Sequence, residues 1–584
     1  MRGRWSLGCR AAGLAMLLMA TACTADPPPA VDRSQQVVTT TAVAATTNSV
    51  VIAVDDLGTG FNPHLLADQS PVGTAVANLV LPSVFRPVTD SSGWSLDTSL
   101  AVSAQVTGTA PFTVTYVLRS EAQWSDGAPV AAEDFRYLWQ QMNSQPGVVD
   151  PAGYGLIDDV SSSGGGKTVT VTFRDAYPAW RQLFTGLLPS HLLKDSPGGF
   201  TDALDNNITF SASRFSVASV DRNRGEVLLQ RNDRFWDAPA ALDEIRLRRG
   251  GTAGQLGESL RTNDAQLAMV RADAGTRTQV RAIPGLRTSE VPQPAVMQVT
   301  VDTADPRFTD ASVRRGLLGL LDPTALTTIG TGLDATSDPG ASRARAQILA
   351  PSEPGYAATA PPRLTVTQAR GLLTDGGYAF SGGRYRRAGQ DLVVVVGADV
   401  ADPVATAVAQ ATADQLTVAG VDATTSLLPS TQLYGTALTT GAVDLVVGRV
   451  AAGGDLATTL ASRFGCRGGA AGRPTGPTGA TATTTPTTAP AQTGARAAVR
   501  TGNVSGLCEP GIDAAVAAAL TGARDAREVV DQLEPTLWAM GAVLPLYQDS
   551  VLLAVRPNVT GVSPPGPLLA GPVAGAATWK RTGG

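Results

Sequence analysis

The chain has 584 residues, a formal net charge of −5 and only 16% charged side chains. That length allows two or three domains with sizeable cores, and the lack of any basic block argues against a nucleic-acid partner. Two histidines, His64 and His191, with no CxxC, HxxxH or HExxH spacing, give a metal no ligand set, so neither metal nor cofactor is expected.

Residues 1–22 read as a targeting segment. Arg2, Arg4 and Arg10 form a positive leader, and the apolar run from Ala11 to Met19 is too short to cross a bilayer. Ala20-Thr21-Ala22 then precede Cys23, which resembles a bacterial lipobox with Ala20 in place of its usual leucine. That likeness implies acylation of Cys23, which would supply the two lipid signals that stable anchoring requires; plain cleavage with an inert Cys23 is the alternative. Residues 23–48 are rich in Pro, Thr and Ala and read as a flexible tether.

Order is expected from the β-branched run Val50–Val54, followed by the loop DDLGTGFNPH at 55–64 and a helix from Ser70 to Leu81. From Phe112 the chain alternates, with Val114, Tyr116 and Leu118 on the same face, as a half-buried strand does. Trp124-Ser125-Asp126-Gly127 supplies turn chemistry. Phe135, Leu138, Trp139 and Met142 then fall at helical spacing. Lys167–Phe173 alternates again. SSSGGGKT at 161–168 is read as a hairpin turn, because a phosphate loop needs glycine at Ser161 and a helix after Thr168.

Further along, Met297–Val301 reads as a strand, Asp310 as the cap of a following helix, and Thr367–Tyr378 as a helix closed by glycine. Val393–Val396 and Val443–Val447 are continuous apolar strands. Val529–Tyr547 combines a helix with a proline-led strand. Outside the cytoplasm, Cys466 and Cys508 are expected to form one disulfide at the base of a Thr-, Pro- and Gly-rich insertion, two separate thiols being the alternative.

Four blocks in order are similar to the family 5 extracellular solute-binding proteins: the strand, WSDG and Glu-Asp-aromatic helix at 112–143; the aromatic-Pro and Leu-Pro-x-His pattern at 175–193; GEVLLQRNDRFW at 225–236; and FTDASVRRGL at 308–317. The resemblance implies an α/β, two-lobed periplasmic-binding-protein fold of class II, large family 5 type, with an extra N-terminal subdomain and hinge strands between the lobes. The division it implies is 49–90, 206–300 and 531–584 for lobe I, 91–205 for the additional subdomain, and 301–530 for lobe II including an insertion at 468–500. It also implies a binding protein rather than an enzyme. No Gly-x-Ser-x-Gly elbow is present, and a glycosidase would need two carboxylates about 5–10 Å apart in a cleft.

By the same resemblance, the Asn62-Pro63-His64 loop borders the ligand cleft, a simple turn being the alternative for Asn62 and His64. Phe61, Phe85, Trp94, Tyr154, Trp180, Tyr434, Trp538 and Tyr547 are candidate stacking faces, each with a core role as its alternative. Phe85 and Tyr154 are carried as ligand contacts. Arg231, Asn232 and Trp236 are expected to fix a loop. Peptide-binding members have a Gly-Trp and an acidic residue after a lobe II strand, where Asp holds the peptide ammonium. Here the stretch is Gly448-Arg449-Val450-Ala451-Ala452-Gly453-Gly454-Asp455. Arg449 there would suit a phosphate or carboxylate unless it is a surface arginine, and Asp455 is a candidate for the acidic position.

FNPHLLADQSPV, LPSVFRPV and SRFGC before the insertion are similar to a lipoprotein branch of the family implicated in phosphatidylinositol mannoside and lipoarabinomannan synthesis. The implied ligand is a mannosylated phosphoinositide. The implied setting is the extracytoplasmic face of the plasma membrane, through the N-terminal lipid anchor, with an envelope mannosyltransferase as partner. The alternative is a peptide receptor serving an ABC permease.

Overall fold

The computed structural model describes residues 48–88, 93–333, 343–466, 501–562 and 568–582. The leader, Cys23, the tether up to residue 47 and the insertion at 468–500 lie outside the described residues.

Ten strands form one mixed sheet. At its centre two long strands, Arg287–Val301 and Val543–Val555, run antiparallel. On one side Leu267–Val270, Ser49–Val54 and Glu244–Arg249 continue the sheet, with Ser49–Val54 parallel to both neighbours. On the other side Leu445–Ala451, Val393–Asp399 and Asp422–Leu428 complete it, the last two in parallel. Val50, Ile52, Val394 and Val396 are all fully buried. Such buried β-branched residues suit parallel strands, although Val393 is 41% exposed at the start of its strand.

The two central strands belong to both lobes. Arg287–Pro292 pairs with Ser550–Val555 beside the first lobe, whereas Val296–Thr300 pairs with Val543–Gln548 beside the second. Between Pro292 and Val296 the register slips. Pro292 and Pro294 have no N–H to give a ladder, so the sheet loosens there. The sequence pattern exposes only Met297–Val301, because the prolines mask the first half of a 15-residue strand. Two large cores result. Leu317, Leu373, Val394, Leu416 and Tyr547 share one cluster, and Val50, Ile52 and Leu247 belong to another, which also takes in Leu460, Ile512 and Val529 from the stretch expected in the second lobe.

A separate four-stranded antiparallel sheet is ordered Ala101–Thr109, Phe112–Leu118, Thr168–Phe173, Ile157–Ser163. Val114, Tyr116 and Leu118 face its core, and the glycines at 164–166 turn the hairpin between its last two strands. Helix Ala132–Ser144 covers this sheet with Phe135, Leu138 and Met142. Ala131 at its N-cap has no side-chain acceptor for the first-turn N–H groups, but Asp134 reaches back to the cap residue itself. Its Oδ2 accepts the Ala131 N–H at 3.1 Å and the Trp124 Nε1–H at 3.0 Å. Its Oδ1 accepts both the N–H and the hydroxyl of Ser190 at 2.9 Å. One buried carboxylate thus joins the WSDG turn, the helix start and the Leu-Pro-Ser-His segment.

Asn232 donates to the Ser213 carbonyl at 2.9 Å and accepts the Arg234 N–H at 3.1 Å, while Trp236 donates to the Ser99 carbonyl at 2.7 Å. Arg231 is paired with Asp233 and Asp243. These three residues hold a loop. Cys466 and Cys508 are joined by a disulfide spanning 42 positions of sequence.

Candidate interlobe binding cleft

Both lobes present the same local construction to the space between them: the end of a strand and the start of a helix. In the first lobe Ser49–Val54 runs into Asp55-Asp56, and helix Pro71–Val80 begins at Ser70, whose Oγ accepts the Gly73 N–H at 2.9 Å. In the second, Val393–Asp399 ends at Asp399. Helix Pro403–Ala419 begins at Asp402, whose Oδ1 accepts the N–H groups of Val404 and Ala405 at 3.0 and 3.1 Å. A proline at the first helical position follows each cap, where its missing N–H is no loss.

Between these ends lies a cavity of about 50 Å³, lined by Asp56, Thr59, Gln69, Ser70 and Arg271 on one side and by Asp399, Asp402, Tyr434, Gly448 and Arg449 on the other. Asp55, just behind it, accepts the Arg271 N–H at 2.7 Å, and the Arg271 Nε lies 3.9 Å from the same carboxylate. Burial pushes Asp55 up to about 6 and Asp399 up to about 6. The same cause raises Asp68, below the cleft floor, to about 7. Tyr434 is 8% exposed, and a side chain at Gly448 would overlap its hydroxyl, so glycine makes room for the ring.

Arg449 departs from expectation. The strand expected to stop at Val447 continues as Leu445–Ala451, and Arg449 stands within it, paired with Met297. Its side chain is only 9% exposed, so it is not a surface arginine. Nor is its charge free for a phosphate: Nη1 is bound by Asp402 and Nε by Asp549. Burial opposes the charge on this guanidinium, but Asp549 and Asp402 more than offset that, and its pKa lies well above the usual arginine range. Only Nη2 remains, buried and without a hydrogen-bond partner. A buried charge of this kind is tolerated because its counter-charges are buried with it.

Tyr434, a candidate stacking face, lines this cavity, whereas Asn62, His64, Phe85, Tyr154 and Asp455 do not. Asn62 is fully buried, donates to the Phe200 carbonyl at 2.7 Å and accepts the His64 N–H at 3.0 Å. His64 meets the Gly186 carbonyl through Nε2 at 2.8 Å, and burial lowers its pKa to about 4. Phe85 packs edge-on against Trp180 with centroids 5.4 Å apart. The Tyr154 hydroxyl accepts the Phe184 N–H at 2.9 Å. Asp455 caps helix Leu456–Phe464 by accepting the Thr458 N–H at 2.9 Å. Sequence reasoning passed over Asp56, Arg271, Asp399, Asp402 and Asp549. The available signals were the acidic pair straight after a β-branched run and the Asp-Pro helix start at 402–403.

A second cavity, of about 350 Å³, lies among Leu349, Ser352, Glu353, Gly453, Leu456 and Leu568. Among the described residues no group of three or more His, Cys, Asp or Glu could hold a metal ion, and no helix is long and apolar enough to cross a membrane.

The sequence profile of the bacterial extracellular solute-binding proteins, family 5 Middle, matches residues 98–471. This chain belongs to that family. It is 41% identical, over 98% of its length and 97% of the relative's, to the probable monoacyl phosphatidylinositol tetramannoside-binding protein LpqW of Mycobacterium tuberculosis strain H37Rv. The oligopeptide-binding protein OppA of Mycobacterium bovis is 30% identical over 33% of this chain and 34% of its own. Among solved structures, the periplasmic EDTA-binding protein EppA superposes with a TM-score of 0.67 at 20% identity, covering 92% of this chain and 97% of that one. The oligopeptide-binding protein AppA of Bacillus subtilis, in complex with a nonapeptide, gives 0.66 at 14% identity over 92% and 100%. Both carry the two-lobed family 5 fold described above.

Proposed function

We propose that this solute-binding protein is a lipid-anchored, extracytoplasmic receptor for a mannosylated phosphatidylinositol and that it supports cell-envelope lipoglycan synthesis. The observation that carries the reading is the 41% identity, spanning almost both whole chains, to a relative named for binding monoacyl phosphatidylinositol tetramannoside. The peptide-binding relatives match over about a third of the chain. Chemistry in the cleft agrees with a ligand rich in hydroxyl groups, since carboxylates, an amide, hydroxyls and guanidiniums surround it. At about 50 Å³ the cavity is far below the roughly 300 Å³ at which sizeable ligands begin to fit, so binding requires the lobes to part at the two long strands. Acylated Cys23 would hold the protein at the membrane, where an envelope mannosyltransferase could meet it.

The test is lipid and peptide mass spectrometry of whatever co-purifies with the protein lacking its leader and Cys23, expressed in a host that makes such glycolipids. Mannosylated phosphatidylinositol is the expected cargo. Peptides without glycolipid would replace this reading with a second one, a peptide receptor of an ABC importer, which the 30% identity to OppA supports.

A further inference from the structure

We infer that the moiety gripped between the lobes is the uncharged mannose chain, and that the phosphate of the glycolipid stays outside the cleft; this rests on the glycolipid reading above.

Charge and hydrogen-bonding capacity at the site both lead there. Asp55, Asp56, Asp399, Asp402 and Asp549 lie in or directly behind the cleft, against Arg271 and Arg449 as the cations. Arg449 is neutralised by Asp402 and Asp549, and Arg271 faces Asp55. The two helix starts facing the cavity, where the backbone N–H groups attract anions, are already occupied, one by the Asp402 carboxylate and the other by the Ser70 hydroxyl. Taken together, five carboxylates against two guanidiniums leave the site with net negative charge, which opposes the entry of a phosphate.

What the site still offers is different. Asp56 uses Oδ1 on the Gly58 N–H, and Asp399 uses Oδ1 on the Ala401 N–H. Neither carboxylate has an ion-pair partner among the described residues. On the same side as Asp399, the unpartnered Arg449 Nη2 belongs to a side chain more than nine-tenths buried that lines the same cavity. Tyr434 adds a hydroxyl from the second lobe. The set is rich in acceptors with a buried donor among them. Sugar hydroxyls, each a donor and an acceptor at once, match both needs. The free carboxylates sit on opposite lobes, Asp56 on one and Asp399 on the other, so a sugar ring bridging them draws the lobes together.

The experiment compares three probes by calorimetry on the chain without leader and Cys23: α-mannotetraose, glycerophosphoinositol, and intact monoacyl phosphatidylinositol tetramannoside. Binding of mannotetraose, with no binding of glycerophosphoinositol at tenfold higher concentration, is expected. Asp399→Asn and Tyr434→Phe should each weaken mannotetraose about tenfold, the equivalent of one good hydrogen bond, without lowering the thermal midpoint below that of the parent. Should a variant fail to fold, the three probes on the parent protein still decide. Binding of glycerophosphoinositol without mannotetraose overturns the inference. If the intact glycolipid binds and mannotetraose does not, the inference fails while the proposed function stands. No binding of any probe overturns both.

Discussion

Asp134 shows how one side chain can hold several separate pieces of sequence in register. Its carboxylate receives hydrogen bonds from Trp124, Ala131 and twice from Ser190, all in the interior. Asp134→Ala would leave those donors buried without acceptors, and a loss of roughly 3 kcal/mol or more is expected in urea unfolding. Arg449 makes the complementary case. Arg449→Met leaves Asp402 and Asp549 as buried uncompensated charges, and should cost about 3–5 kcal/mol. Adding Asp549→Asn to that variant should recover part of the loss; a double variant no more stable than the single would mean the pair does not compensate as described. Titration gives a third expectation. Folded Asp68 holds its proton up to about 7, against 3.8 for an unburied aspartate, so between these values the folded chain binds more protons and stability falls as pH rises. Asp55 and Asp399 act in the same direction up to about 6. His64 acts oppositely: with a folded pKa of about 4 against 6.5, its contribution is lost as pH falls through that interval. Asp68→Asn should therefore raise the thermal midpoint at pH 8, with little change at pH 4, by scanning calorimetry.

At the scale of elements, close approach of helices in the second lobe depends on missing side chains. Gly316 lies in helix Ala311–Gly319, where a Cβ would stand 2.8 Å from Leu373 Cγ and 2.9 Å from the Ala369 carbonyl oxygen. That carbonyl belongs to helix Val366–Asp375 and cannot rotate aside. Alanine would favour the isolated helix by about 1 kcal/mol, but overpacking costs about 1–3 kcal/mol. Gly316→Ala is accordingly expected to destabilise the protein, as read from its denaturant midpoint; a rise would show that the helices separate at little cost. The central strands show a related compromise. Pro292 and Pro294 weaken the sheet at the point where it passes from one lobe to the other; pairing resumes on both sides, with a second register shift between Met297 and Gln298.

For the whole molecule, that arrangement couples binding to shape. Two lobes share ten strands, and the ladder is interrupted between them. A ligand that touches both Asp56 and Asp399 stabilises the closed form only through contacts absent from the open one. Small-angle scattering should show a change in radius of gyration on adding monoacyl phosphatidylinositol tetramannoside, and Asp399→Asn should reduce that response at equal ligand concentration. An unchanged radius with saturated binding would mean that closure is not driven by the ligand.

The amino-acid order alone determined the family and most of its elements, because the deciding signals are local. Alternation at Val114, Tyr116 and Leu118, the WSDG turn, the helical spacing of Phe135, Leu138 and Met142, and the Asp310 cap each depend on residues within a few positions. It also placed Arg231, Asn232 and Trp236 in a structural loop. The long strand through Pro292 and Pro294 was hidden, since a proline-bearing run reads as a break until both partners are seen. Only the tertiary structure decided the cleft. Arg449 lies 47 residues from Asp402 and 100 from Asp549, so no window of sequence brings them together. Whether that guanidinium is free to read a phosphate or already neutralised depends on charges that meet only when the two lobes share a sheet.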